Sequence, residues 1–325
     1  MARLGVLIPS YRLAAETFGE LVELEVAEAT LEEVTTVAGS RLLDVEAMLA
    51  AEANAVPSRE EGLGPALNQA EQRPNEPTPE HLCISMDGVK VNTTEGWREV
   101  KTVAVSEVAR LEKPQPDGTK VELVNHSYRA GFWEAKGFGE VQYAEAKRRG
   151  AERAKRLTSV NDGAEWIWAL VLLCYPLAVQ IIDWWHAVER LWKVGNLVFG
   201  QGSELASAWV KARKDELWEG EVSKVIAVLD GLGGKGGEEA IDEVRKLREY
   251  LRTHAGRMRY EQFREAGEPV GSGTVESACK TVVGTRMKGA GMRWKVARAE
   301  AVLALRCAIL SNRWQDAWDS QRKLA

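Results

Sequence analysis

Cysteine is scarce in this sequence: there are four, and no two of them form a Cys-x-x-Cys pair. This spacing does not fit a zinc ribbon, and so few cysteines in a chain of 325 residues do not indicate a disulfide framework. Apolar runs of membrane-spanning length are missing as well, because no charge-free stretch reaches the ~20 residues that a membrane helix needs. The apolar run near the N-terminus is too short for a secretory signal. The sequence therefore predicts a cytoplasmic globular protein.

Basic residues are few at the start of the chain, and acidic residues are few at its end. Residues 1–82 hold five basic and 15 acidic residues, whereas 17 basic and eight acidic residues lie from Arg245 onward. The overall net charge of −5 conceals this asymmetry. A basic C-terminal part favours contact with a polyanion such as nucleic acid.

Apolar spacing predicts three short helices within residues 1–56. Ser10 is placed to cap the first, and Thr30 opens a second that we expect to stop at Gly39. Three short helices with a tight turn at Gly39 fit a helix-turn-helix unit. The acidity of the segment disfavours strong DNA binding, so a plain helical segment or a dimer surface is the preferred interpretation.

Residues 57–81 are rich in proline and glycine among polar side chains, which is typical of a linker. Three apolar-alternating segments then follow, and short turns between them predict an antiparallel meander. A helix and two short strand–helix units complete residues 82–190. The element order β-β-β-α-β-α-β-α indicates an α/β fold with a mixed sheet.

Residues 191–268 show helical patterns broken by glycines and no strand pattern, so we expect an all-helical insertion. Residues 269–325 return to the α/β domain as C-terminal helices. Both assignments rest on apolar periodicity alone.

Three acidic residues stand at matching places in this order. Asp87 lies on or after the first strand, Asp162 follows the fourth, and Glu276 opens a late helix. If the sheet is of the ribonuclease H type, the first and fourth strands are neighbours and the three carboxylates converge. Clustered carboxylates repel one another unless cations lie between them. Mg²⁺ suits such a site because it takes carboxylate oxygens and keeps positions for water and phosphate.

The segments SMDGVKV…WREVK, NDGAEWIW…QIIDWWHAVERLW and GTVESACK…GTRMKGAGMRW resemble the insertion-sequence transposases of the ISKra4 family, relatives of the Mutator-like superfamily. The resemblance covers residues 82–325 and implies a DDE transposase whose RNase H-like catalytic domain is interrupted by a helical insertion. It implies that Asp87, Asp162 and Glu276 form the catalytic triad and bind two Mg²⁺ ions, which Mn²⁺ can replace. The family's N-terminal DNA-binding region is short in this chain, so recognition of the DNA ends is expected to be incomplete.

The same resemblance matches Asp183 and His186 to an Asp-x-x-His element. Asp183 is either a fourth metal ligand or a helix cap, and His186 is either a hydrogen-bonded structural histidine or a ligand or proton shuttle. The family pattern has Gly where this chain has Asn161; both residues tolerate unusual backbone angles.

A basic loop after Glu276 is the candidate DNA contact, with a merely solvated loop as the alternative. Trp294 is also a candidate for stacking on an unpaired base. The predicted DNA-binding residues are Arg286, Lys288, Arg293, Trp294 and Lys295.

The sequence thus predicts a Mg²⁺-dependent DNA transposase that cleaves transposon ends and joins them to target DNA. Its partner is double-stranded DNA, and bringing two ends together requires at least a homodimer, located at the nucleoid. A catalytically inactive DNA-binding remnant and another RNase H-like nuclease are the alternatives.

Overall fold

The computed structural model describes residues 1–55, 78–116, 118–232, 234 and 237–323. The predicted linker therefore lies mostly outside the described residues. Among the residues that are described, no helix combines the length and apolarity needed to cross a bilayer. The chain divides into two compact units. Unit 1 comprises Met1–Glu107, Val124–Leu157 and Gly273–Ala325, and unit 2 comprises Val108–Leu123 and Thr158–Ser272.

The N-terminal part of unit 1 consists of α1 (Ala2–Leu7), α2 (Tyr11–Val22) and α3 (Glu28–Asn54). The predicted cap of α2 is confirmed, because the Ser10 hydroxyl accepts a hydrogen bond from the Leu13 amide at 3.2 Å.

The predicted break at Gly39 is wrong, and with it the helix-turn-helix interpretation. Helix α3 continues through Gly39. The absence of a side chain at this position lets α3 pack closely against the C-terminal helix α13 (Val296–Leu310). A Cβ atom at this position would lie 2.2 Å from the Ala301 carbonyl oxygen. The glycine therefore brings two helix backbones together and does not end a helix.

The sheet is built by the predicted meander and the two predicted strand–helix units. Its order is β3-β2-β1-β4-β5, with β1 antiparallel to β2 and β4 parallel to β5. This is an RNase H-like mixed sheet with flanking helices, so the predicted fold class is confirmed. The strands and the helices between them are β1 (His81–Thr93), β2 (Gly96–Arg110), β3 (Val121–Gly131), α4 (Ala135–Arg148), β4 (Arg156–Asn161), α5 (Glu165–Cys174) and β5 (Val179–Ile182).

Unit 2 continues after β5 as a succession of helices. Between residues 191 and 268, the described part of the chain contains helices and turns and no strand. The all-helical character predicted for this region is confirmed. The helices are α6 (Trp184–Phe199), α7 (Glu204–Trp218), α8 (Val222–Asp230), α9 (Glu238–His254) and α10 (Tyr260–Glu265).

Unit 1 is completed by α11 (Gly273–Ala278), α12 (Thr285–Met287), α13 and α14 (Trp314–Lys323). A π-helical segment, Cys279–Gly284, joins α11 to α12. Helix α13 is the centre of this unit, since nearly all of its residues from Ala299 to Ala308 are buried. The apolar core of unit 1 thus includes both the first and the last helices of the chain.

Candidate functional site

Asp87 lies within β1 and not at its end. The five residues before it, Leu82–Met86, are all buried, whereas Asp87 is partly exposed. Its Oδ1 atom accepts a hydrogen bond from the Gly88 amide at 2.7 Å, and Thr102 of β2 is its register partner. The strand thus presents this carboxylate from a rigid, buried element.

Glu276 lies on α11, one helical turn before Cys279. The Cys279 thiol is buried, and burial raises its pKa; the charge of Asp87 and a hydrogen bond to Asp87 raise the pKa further. Residues three apart on a helix share a face. Within unit 1, the structure therefore brings Asp87 to the helix face that carries Glu276.

Arg306 of α13 holds the π-helical segment that follows Glu276. A π-helical turn shifts the backbone hydrogen bonds by one residue, and such turns occur frequently at functional sites. The Arg306 guanidinium donates to the carbonyl oxygens of Val282, at 2.6 Å, and Thr281, and also to that of Val6 in α1. One buried cation thereby satisfies carbonyls of both segments.

Asp162 follows β4 in unit 2. Its Oδ1 atom accepts the Ala164 amide at 2.9 Å, so the side chain stabilises the turn into α5. Its carbonyl oxygen accepts the indole N–H of Trp168 at 2.8 Å. Both contacts fix the turn that positions the carboxylate.

Asp183 directly follows β5, the strand next to β4, and lies at the same edge of the sheet as Asp162. Strands β4 and β5 are parallel and Asn161 pairs with Ile182, so Asp162 and Asp183 are the next residues on adjacent strands. We call these two residues the carboxylate edge. Carboxyl ends of parallel strands are where open α/β sheets bind ligands.

The helix-capping role of Asp183 is observed. Its side chain is fully buried and accepts the His186 amide at 2.9 Å as the N-cap of α6. The other carboxylate oxygen accepts the Ser272 amide. His186 is half-buried, with Nδ1 3.7 Å from the Glu189 carboxylate.

The structure contradicts the predicted DNA-binding role of two residues, because both are buried. Arg286 is 2% exposed and Trp294 is 7% exposed. The Arg286 guanidinium lies over the rings of Tyr11 and Trp294, 4.6 and 4.9 Å from their centroids, and donates to the Gly5 carbonyl. Because these side chains lie inside unit 1, they hold the N-terminal helices and do not face a DNA strand.

Lys288, Arg293 and Lys295 differ from those two because all three are exposed. The loop that carries them is anchored to the end of β1: the Trp294 amide donates to the Asn92 carbonyl at 3.1 Å, and the Thr94 amide donates to the Trp294 carbonyl at 2.9 Å. The loop therefore presents its three cations from a fixed backbone.

Sequence analysis did not identify Tyr250 as a residue of the site region. It lies near the end of α9, and its ring packs against Gly163, directly after Asp162. Burial raises the pKa of Tyr250; Arg190 opposes this, and the charges of Asp162 and Asp183 raise it further. The sequence carries no signal for this residue, because its role depends on which turn α9 contacts in the folded chain.

No protein-family model and no curated protein sequence matches this chain. Among solved structures, the Drosophila P element transposase strand transfer complex is similar, with a TM-score of 0.27 and 11% sequence identity. The similarity covers 98% of this chain and 79% of that chain. A similarity at this level assigns no activity to this chain.

Proposed function

We propose that this chain is a DDE transposase of the ISKra4 type, which cleaves DNA at transposon ends and transfers the freed strand to target DNA. The observation that carries the proposal is the meeting of Asp87 with the helix that bears Glu276 in unit 1. The two residues belong to separate sequence motifs that are far apart in the chain.

Asp87, Asp162 and Glu276 would hold the catalytic metal ions. Carboxylate oxygens are the donors that Mg²⁺ prefers, so the chemistry of these side chains fits this ion. When bound, a pair of Mg²⁺ ions supplies polarisation of the attacking oxygen and stabilisation of the leaving oxygen. The protein's own contribution is to fix the carboxylates: β1 fixes Asp87, the turn after β4 fixes Asp162, and α11 fixes Glu276.

The exposed cations of the loop after Glu276 would bind the DNA backbone. Contacts from lysine and arginine to phosphate position the nucleic acid without selecting its sequence. Lys288, Arg293 and Lys295 fit this role, and their loop follows α12, which the π-helical segment joins to the helix that carries Glu276. A homodimer or higher oligomer on DNA completes the proposal, because two ends must be brought together.

The test is strand cleavage of a supercoiled plasmid carrying the element's own ends, with Mg²⁺ or Mn²⁺. Asp87→Asn and Glu276→Gln should abolish nicking and strand transfer while leaving the unfolding temperature and DNA binding close to wild type. Asp44→Asn and Glu165→Gln, which change exposed carboxylates, are the matched controls and should retain activity. Unchanged nicking by Asp87→Asn would refute the catalytic assignment.

The same experiment separates the alternatives. A wild-type protein that shifts the DNA but never cuts it would be an inactive binding remnant. Cleavage of branched junctions without any requirement for paired ends would identify another RNase H-like nuclease.

A further inference from the structure

The helical insertion reaches the carboxylate edge at two points, both within unit 2. The Tyr250 ring of α9 packs on Gly163, and the Tyr260 hydroxyl donates to the Ile182 carbonyl at 3.1 Å. A third contact comes from just beyond the insertion, where the Ser272 amide donates to Asp183. Each contact lies on an acidic residue or on its immediate neighbour. The insertion therefore reaches both turns that carry carboxylates.

The contact between Tyr250 and Gly163 is the tightest of these. A Cβ atom on Gly163 would lie 2.2 Å from Cε2 of the tyrosine ring, so this position has no room for a side chain. Tyr250 is itself nearly buried, and the Arg190 guanidinium lies over its ring at 4.0 Å from the centroid. The ring is thus held between a cation and the backbone that follows Asp162.

Aromatic neighbours extend this packing to the other side of the turn. The His254 ring lies 4.9 Å from that of Tyr250 and 6.2 Å from that of Trp168, whose indole N–H donates to the Asp162 carbonyl. The turn is consequently enclosed by α9 on one side and by α5 on the other.

We propose that the insertion serves as the rigid support of the carboxylate edge, and that Tyr250 is the positioning residue for Asp162. The importance of this support for catalysis rests on the proposed function. A metal ligand must be held within about 0.5 Å of its productive place, and packing of neighbouring residues is what holds it there. The insertion would thus complete the site without supplying a ligand from its own helices.

Hydrogen exchange on the full chain tests this positioning role without any requirement for activity. Tyr250→Ala should accelerate exchange in the peptide covering 162–168 by at least about tenfold, because removing the ring frees the turn. Tyr250→Phe should stay within about twofold of wild type, since it is the ring and not the hydroxyl that meets Gly163. Leu229→Ala, a buried truncation in α8, is the matched control and should not accelerate this peptide selectively.

A double-mutant cycle gives a second readout. Gly163→Ala should accelerate exchange strongly in wild type but much less in the Tyr250→Ala background, because the clashing ring is then gone. Gly256→Ala, where a Cβ atom would meet nothing within 4 Å, should combine additively with Tyr250→Ala. The proposal would be overturned if the effects of Gly163→Ala and Tyr250→Ala on exchange were additive. It would also be overturned if Tyr250→Ala and Leu229→Ala accelerated exchange in the 162–168 peptide equally.

Nicking assays then separate the two proposals. If the wild type nicks DNA, Tyr250→Ala should lower the turnover rate at least about tenfold with DNA affinity unchanged, and Tyr250→Phe should restore it. If the wild type never nicks DNA, the proposed function fails, and the exchange results still decide whether Tyr250 supports the turn.

Discussion

Arg313 holds the carboxylate of Glu145 through three hydrogen bonds of 2.9 to 3.2 Å in the interior of unit 1. Glu145 is fully buried, and Arg148 contacts the same carboxylate. Burial disfavours the charged form, but the two arginines outweigh it and hold the pKa of Glu145 at about 2. This cluster joins α4 to the start of α14.

The first prediction concerns acid stability. Because the pKa of Glu145 is depressed in the folded chain, its contribution is complete above about pH 4.5 and is lost as the pH falls towards 2. A shift of this size corresponds to about 3 kcal/mol of unfolding free energy. Glu145→Gln should therefore lower stability at pH 7 and flatten its pH dependence between 4.5 and 2, measured by urea titration. Asp44→Asn is the control, and an equally flat profile for it would contradict the assignment.

The second prediction concerns the contact between α3 and α13. Gly39→Ala should cost about 1–3 kcal/mol or more, since the added methyl meets backbone atoms that cannot rotate away. Gly137→Ala in α4 is the matched control, because its Cβ atom would meet only ordinary contacts at 3.8 Å and alanine favours a helix. Thermal unfolding of both variants measures the difference, and equal unfolding temperatures would show that the contact is loose.

The third prediction concerns the loop that we propose as the DNA contact. Replacing Lys288, Arg293 and Lys295 together with glutamine should weaken DNA binding for every sequence tested. Removal of three phosphate contacts should also reduce the slope of log affinity against log salt by about 2.7. Arg12, Arg41 and Lys211, also exposed, form the matched control set. The titrations should cover 50 to 200 mM salt, a range in which such effects are large. If the slope of log affinity against log salt is unchanged, the loop is not part of the DNA-binding interface.

The fourth prediction concerns Asp183. Asp183→Ala should destabilise the chain by about 1–3 kcal/mol, because two amides lose their acceptor inside the fold. Asp183→Asn should keep the cap of α6, since asparagine caps helices well. It should lose the contact to Ser272, because only one side-chain atom of asparagine can accept a hydrogen bond. Ser203→Ala, which removes the cap of α7, provides the scale for a partly exposed cap. If Asp183→Ala costs less than Ser203→Ala in urea titrations, the buried contact to Ser272 contributes nothing.

The sheet and its insertion could be predicted from the sequence because their signals are local. Alternating apolar residues identified the meander, and β4 and β5 are the short strands of the two predicted strand–helix units. Acidic residues after short apolar runs identified the carboxylate edge. These patterns depend on neighbours within a few positions, and the structure preserves them.

Long-range packing explains what the sequence could not supply. Gly39 is typical of a helix end, but Ala301 makes the glycine necessary inside a helix. Arg286 and Trp294 have the composition of a DNA-binding loop, but both are buried, because Arg286 packs against Tyr11 of α2 and Trp294 packs against Arg286. Tyr250 gave no signal at all, because its importance depends on which turn α9 reaches.

The grip of Arg306 on both Val6 and the π-helical segment has a consequence for biosynthesis. Arg306 lies 300 positions after Val6, so α1 is synthesised well before the guanidinium that satisfies its carbonyl. The early helices therefore cannot complete their packing in this part of the core until α13 has been translated.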